Sequence, residues 1–344
     1  MRLIIPEGYK PLIGLKQTEK AIEMLKDQFE DGLSNDLRLR RVTAPLFVLA
    51  GTGLNDYLSG VEKPVTFKMK DMRNQDAEVV QSLAKWKRMM LRDYDIKTGY
   101  GIFCDMNALR PDEELDNLHS IYVDQWDWER AIRKEDRNLD YLKWTVEKIW
   151  DNIKSSEFFL HTFYPNVEPK LPEKLTFIHS EELFEMYPDI PAREREEKIA
   201  ERHGAVFIIG IGSVLPDGKP HDWRASDYDD WTTETVKGFK GLNGDIIAWN
   251  SVLKCAFEVT SMGIRVDKDE LMKQLEISGD MDRKDLLFHR RLLDDELPHA
   301  IGGGIGQSRT AMLLLQKAHI GEIQSAIWPG EMVDHCRKCN IRLI

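Results

Sequence analysis

The sequence predicts an α+β fold, a mostly antiparallel sheet flanked by helices, and three observations predict it. Strand-like segments dominate the middle of the chain, helical periodicities flank them, and no internal repeat, low-complexity tract or Gly/Ser linker interrupts the 344 residues. The chain therefore reads as one catalytic-sized domain over 1–344, with a short N-terminal extension (1–15) and a C-terminal tail from about 331 to 344. Hydrophobic residues make up 42% and charged residues 31%, enough to bury a sizeable core and to rule out disorder.

Residues 18–31 place Ala21, Ile22, Leu25 and Phe29 on one helical face, with Gly32 as the stop. Residues 37–49 are rich in strand formers but contain Pro45, which suits a strand at an edge or interface. Residues 78–81 read as a strand end, after which Ser82 caps a helix carrying Leu83, Trp86 and Met90. Two strands, 101–110 and 120–130, are joined by a polar loop containing Pro111. Helices are expected at 138–160 and 192–203, a buried central strand at 205–213, a strand pair at 245–252 and 255–266, and a last strong helix at 307–317.

Several functions are disfavoured. Lys and Arg total 48 against 59 Asp and Glu, a net charge of −11, which argues against a nucleic-acid binder. No apolar run approaches the ~20 residues of a membrane span, and Pro6 breaks the N-terminal apolar run, against a signal peptide. Cys104, Cys255, Cys336 and Cys339 are too few for a disulfide scaffold and point to the cytoplasm. The Cys336-x-x-Cys339 pair lacks a second ligand pair for zinc and reads as part of a solvent-exposed tail. A Walker loop fails at Gly212 to Gly218-Lys219, which has one residue too many, and no Rossmann glycine fingerprint is present.

Four segments carry chemistry. In Ile121–Glu129 strand alternation puts Gln125, Asp127 and Glu129 on one face and Tyr122, Trp126 and Trp128 on the other. The aromatic face is core; the polar face either meets solvent or binds something, since three buried polar groups in a row are costly. Arg110, at the end of the preceding strand, can fork onto a phosphate or pair with Asp112 or Glu113. Glu258 and Thr260 share a strand face near Asp245, and two carboxylates on adjacent strands suit either Mg²⁺ with phosphate oxygens or structural ion pairs. Gly302-Gly303-Gly304-Ile305-Gly306 lets backbone approach a ligand and leads to Arg309, a cation in the first turn of an apolar helix, where the dipole disfavours it.

Taken in chain order, the Pro45 strand, the strand–Arg110–loop–strand and the glycine-rich strand–Arg309–helix resemble motifs 1, 2 and 3 of the class II aminoacyl-tRNA synthetase fold. The match is closer to the ammonia-dependent asparagine synthetases, the aspartate–ammonia ligases. Ser82–Arg88, Ala108–Glu113, Val123–Glu129, Gly241–Asp245, Ser261–Arg265 and Ile301–Arg309 all read like that family, over about residues 15–330.

The resemblance implies a chemistry: L-aspartate and MgATP form β-aspartyl-AMP and pyrophosphate, and ammonia then releases asparagine and AMP. It implies Arg110 on the α-phosphate, Arg309 stacked on adenine, and Glu258 and Asp245 as metal-side carboxylates. It implies Ser82, Lys87, Gln125, Asp127, Ser261 and Arg265 around aspartate, with Lys87 and Arg265 neutralising the α-carboxylate. Asp56 would lie near the substrate ammonium, and Asp56 and Asp229 are the candidates for taking the proton of ammonium, Asp229 being preferred. Two departures from the family pattern stand out: Val123 occupies the position of an adenine-stacking aromatic, and neither Asn250 nor Ser251 supplies the acid expected before Glu258. A homodimer formed through the motif 1 region is expected. The competing reading is an aspartyl- or asparaginyl-tRNA synthetase paralogue without an anticodon-binding domain, since motif 1 begins near residue 40.

Overall fold

The computed structural model of the chain describes residues 3–56 and 62–344. Helix α1 (Leu15–Leu37) is followed by strands β1 (Leu39–Arg41), β2 (Phe47–Leu49), β3 (Thr66–Met69) and β4 (Gln75–Val79). Helix α2 (Ala84–Asp93) precedes the long hairpin β5 (Gly101–Leu109) and β6 (Tyr122–Ala131). Next come α3 (Leu139–Phe163), β7 (Thr176–His179), α4 (Ser180–Met186), α5 (Ala192–His203), β8 (Ala205–Ile209), β9 (Asn243–Asn250) and β10 (Cys255–Ile264). The chain closes with α6 (Lys268–Ser278), α7 (Leu287–Leu293), β11 (Ala300–Gly306), α8 (Gln307–Leu314) and α9 (Gly330–Lys338).

One sheet runs in the order β1-β5-β6-β11-β10-β9-β8-β7, and β2-β4-β3 form a second, small sheet. Only the outermost pairings of the large sheet, β1 with β5 and β7 with β8, are parallel. The predicted α+β class with a mostly antiparallel sheet is what the structure contains. Helices α1, α3 and α8 bury one face: Leu25, Phe29, Leu33, Val146 and Ile153 pack with Trp126, Phe207 and Phe257 in a single core. The opposite face of the central strands carries the polar residues.

The first helix runs through Gly32 to Leu37, five residues beyond the predicted stop. Gly32 is there for proximity, because a Cβ on it would lie 2.1 Å from Asn152 Oδ1 on α3, whose amide donates to Phe29 O. The strand expected at 37–49 is two strands with Pro45 between them, each at the edge of its own sheet. The 205–213 segment is fully buried but ends at Ile209, and it lies next to last in the sheet. Gly210 stops it at φ +78°. Its burial comes from cover on both faces, one by the main core and one by α4 and α5.

Helix α8 ends at Leu314 rather than 317. Ser82 lies one residue outside its helix cap; Leu83 is the cap, and Ser82 Oγ accepts from the Ala84 N–H at 3.2 Å. The C-terminal segment is not a solvent-exposed tail. It forms α9, whose Met332 and Cys336, four residues apart, enter the main core together with Ile341. Burial pushes the Cys336 thiol up to about 11. Among the described residues no helix is long and apolar enough to cross a membrane.

Gly32→Val is expected to cost about 1–3 kcal/mol by overpacking the α1–α3 contact. The helix propensities of the two residues differ by only about a few tenths of a kcal/mol, so a urea titration reads the packing loss almost alone.

Candidate active site

The cleft forms where β6, β11 and β10 turn their non-core face towards α2 and the segment 224–231. Alternation on β6 delivers Gln125, Asp127 and Glu129 to it and sends Trp126 and Trp128 into the core, where Trp126 stacks on Phe29 at 4.2 Å. Opposite them β11 offers only glycine: Gly306 pairs with Gln125, Gly304 with Asp127 and Gly302 with Glu129. A Cβ on Gly302 would lie 2.0 Å from Glu129 Oε2, and one on Gly304 would lie 2.3 Å from Gln125 Oε1. The glycines were read as room for a ligand. What they admit first is the side chains of β6.

The aspartate-type positions converge at the buried end. Arg265, just past β10, grips Glu129 through Nε at 3.0 Å to Oε1 and through Nη2 at 2.8 Å to Oε2, and its Nη1 donates to Asp229. Burial raises the Asp229 carboxyl above its usual range, and Arg265 opposes that rise. Lys87, on α2, is 1% exposed; its ammonium donates to Asp127 and, at 3.1 Å, to Gly303 O. Burial likewise raises Asp127 against the pull of Lys87. Ser82 and Ser261 line the same cleft.

Asp56 lines it too, is 1% exposed, and has no hydrogen-bond partner on either carboxylate oxygen among the described residues. Burial raises its carboxyl, opposed by Lys85. The rest of its sequence segment, Tyr57–Gly60, lies outside the described residues.

The other end is arginine-rich. Arg110 Nη2 donates to Gln81 O at 3.3 Å, while its buried Nε has no partner among the described residues. Arg309 Nη1 reaches Glu258 O at 3.2 Å and Glu258 Oε2 at 3.3 Å. Against the cost of desolvation, Arg309, Arg224 and Arg110 hold the Glu258 carboxyl below its usual range.

Glu258 does not share a face with Thr260, contrary to the strand alternation. A register shift between them in the β9–β10 pairing puts Thr260 opposite the core residue Ile305, with its hydroxyl on Gly304 O at 2.9 Å. The extra residue brings Glu258 to the cleft side with Ser261, where both line the pocket. Asp245 sits opposite Ser261 on β9 and accepts from Arg224. Burial pushes the Asp245 carboxyl up to about 7 against Arg224, and the charge of Glu258 adds to the rise. Such crowding of two carboxylates is what a divalent cation relieves, so the pair fits a metal that also takes phosphate oxygens. Among the described residues no group of three or more potential metal ligands exists.

Glu129, Arg224, Lys85 and Asp227 went unassigned in the sequence. Asp227 accepts from Lys85 at 3.1 Å, Arg283 at 2.8 Å and His289 at 3.0 Å, all behind Asp56. Glu129 was visible as the third polar residue of its face. The other three sit on a loop or beside a better motif, where no periodicity reports their direction.

The family profile described as aspartate–ammonia ligase matches residues 16–340. Curated proteins named aspartate–ammonia ligase match end to end. That of Bacteroides fragilis is 57% identical over 342 residues, 99% of each chain. That of Clostridium perfringens is 52% identical over 343 residues, 100% of this chain and 99% of the relative. Among solved structures, an Entamoeba histolytica asparaginyl-tRNA synthetase in complex with asparaginyl-adenylate superposes with a TM-score of 0.66 at 13% identity, covering 90% of this chain and 66% of that one. A Pyrococcus horikoshii asparaginyl-tRNA synthetase gives 0.62 at 17% identity, covering 92% and 70%. These last two speak for a class II synthetase catalytic fold.

Proposed function

The chain belongs to the aspartate–ammonia ligase family, an ATP-dependent enzyme class that makes asparagine from aspartate and ammonia, and from that premise we propose how its cleft divides the work. The observation that carries the reading is the polarity of the cleft: Lys87 and Arg265, each anchored by a carboxylate, at one end and Arg110 and Arg309 at the other.

Lys87 and Arg265 take the aspartate α-carboxylate. Glu129, Asp229 and Asp127 hold both cations still, and the Arg265 fork retains N–H bonds that its partners do not use. Asp56, a buried carboxyl lining the cleft, takes the α-ammonium. Gln125, Ser82 and Ser261 complete the polar lining. The substrate β-carboxylate is thereby turned towards Arg110, which binds the α-phosphate of ATP; Arg309 covers the adenine, with Val123 lining the cleft nearby. The β-carboxylate oxygen bonds to the α-phosphorus and pyrophosphate leaves. Ammonia bonds to the activated carbonyl carbon, the bond to AMP breaks with its electron pair on the phosphate oxygen, and the added nitrogen gives up one proton to that phosphate or to solvent, leaving the amide. Asp229 takes the proton that ammonium must lose to become a nucleophile. Asp245 and Glu258 would hold Mg²⁺, which when bound neutralises polyphosphate charge.

The tRNA synthetase alternative is not favoured, because relatives named as ligases match the chain from end to end. Four unpaired thiols support a reducing cytoplasm as its place.

The products distinguish this reading. AMP and pyrophosphate are expected from aspartate, ATP and ammonium, and chromatography detecting ADP and phosphate would contradict it. Arg110→Ala is expected to lose about 3–4 kcal/mol of transition-state stabilisation, measured as kcat/KM.

We further propose a homodimer. The small sheet exposes Leu46, Phe47, Leu49, Val65, Phe67 and Met72, with Phe47 and Phe67 in edge contact at 5.1 Å. A contiguous apolar surface of this kind marks an interface. Light scattering at micromolar concentration should give twice the chain mass, and Phe47→Asp should reduce it to one; a wild-type monomer would count against the proposal.

A further inference from the structure

Arg224 lies on the irregular connection between β8 and β9, and nothing in the reaction scheme above uses it. Its Nη2 donates to both oxygens of Asp245 and lies 3.3 Å from Ser261 Oγ. Its Nη1 donates to Trp223 O at 2.9 Å and lies 3.6 Å from Asp222 Oδ2. Its buried Nε has no partner among the described residues. Arg309 Nη1 meets one oxygen of Glu258, Oε2, at 3.3 Å in a more exposed contact, so each metal-side carboxylate has an arginine beside it.

We propose that Arg224 is the resident counter-cation of Asp245 in the ligand-free enzyme, and that it moves to the polyphosphate when nucleotide arrives, so that the divalent-cation site exists only with nucleotide bound. The proposal rests on the reading of Asp245 and Glu258 as metal-side carboxylates. Its logic is charge conservation in a buried place. A divalent cation arriving alone must displace a guanidinium that is 11% exposed and leave it only the exposed Asp222 carboxylate, 3.6 Å away, which is costly. A cation arriving with polyphosphate supplies that anion.

The two ligands therefore help each other through Arg224. Asp245 is fixed by pairing on both sides of β9, whereas Arg224 sits between Gly212 and an exposed Trp223 on a loop.

Mn²⁺ is a probe that needs no turnover. Titrated into the full-length protein and followed by electron paramagnetic resonance, Mn²⁺ alone should bind wild type weakly, and α,β-methylene-ATP should tighten it. Arg224→Met should bind Mn²⁺ without nucleotide roughly tenfold or more tighter than wild type, as removal of a neighbouring cation requires. Adding Asp245→Asn should abolish the gain. Arg224→Lys keeps the charge and the packing but not the fork, and should fall between the two; it serves if the Met variant does not fold, as judged by circular dichroism. Equal nucleotide-free Mn²⁺ affinity in wild type and in both Arg224 variants overturns the proposal. Nucleotide-dependent Mn²⁺ binding that is unchanged in Asp245→Asn alone removes the metal role itself, and the Arg224 proposal falls with it for that separate reason.

Discussion

Arg265 is the residue the rest of the site depends on. Its guanidinium is buried, forked onto Glu129 and bonded to Asp229, and it joins β6, β10 and the 224–231 segment at one point. Deleting either carboxylate would leave the other on Arg265 but strand at least one buried N–H donor, at a cost of about 1–3 kcal/mol. The backbone around it is held by two more arginines. Arg88 donates to Val266 O at 2.6 Å and to Pro298 O at 3.1 Å, and Arg137 pairs with Asp230 at 2.7 Å. Gly302 completes the constraint, since any side chain there would collide with both Glu129 and Arg265.

This construction separates the two halves of the cleft by electrostatic character. At the end proposed for aspartate, Lys85, Lys87 and Arg265 each have a buried anionic partner, so these cations are preorganised. At the end that holds Arg110 and Arg309 the attachment is looser for these two: Arg110 donates to the Gln81 carbonyl, and Arg309 meets a half-exposed Glu258. Rigid recognition of a small amino acid and adaptable recognition of a large polyanion are what a ligase of this class asks of one cleft.

The fold class and most elements were legible because they rest on period. Alternation on Tyr122–Ala131 correctly sorted Gln125, Asp127 and Glu129 from Trp126 and Trp128, but not Tyr122, which is half-buried and lines the cleft rather than the core. Composition gave the long helices, and helix α5 coincides with its predicted bounds. What was not legible depended on tertiary proximity. Gly32 signals a helix end in isolation and a helix–helix contact in the structure. The irregularity after Glu258 reverses the expected face of Thr260, and no local pattern announces it. Helix α9 has few apolar residues, so Met332 and Cys336 gave too short a signal against its charged neighbours. Arg224 and Asp227 lie on a loop, where the direction of a side chain follows from packing alone.

The central claim is that the aspartate end prepares the adenylate and that Asp229, held by Arg265, then serves ammonia. Asp229→Asn keeps the shape and one acceptor for Arg265 while removing the proton acceptor. Aspartate-dependent ATP–pyrophosphate exchange and asparagine formation, measured side by side in that variant, separate the two half-reactions. The account predicts exchange close to that of wild type with asparagine formation markedly slowed; equal loss in both would contradict it and leave Asp229 as a support for Arg265 only.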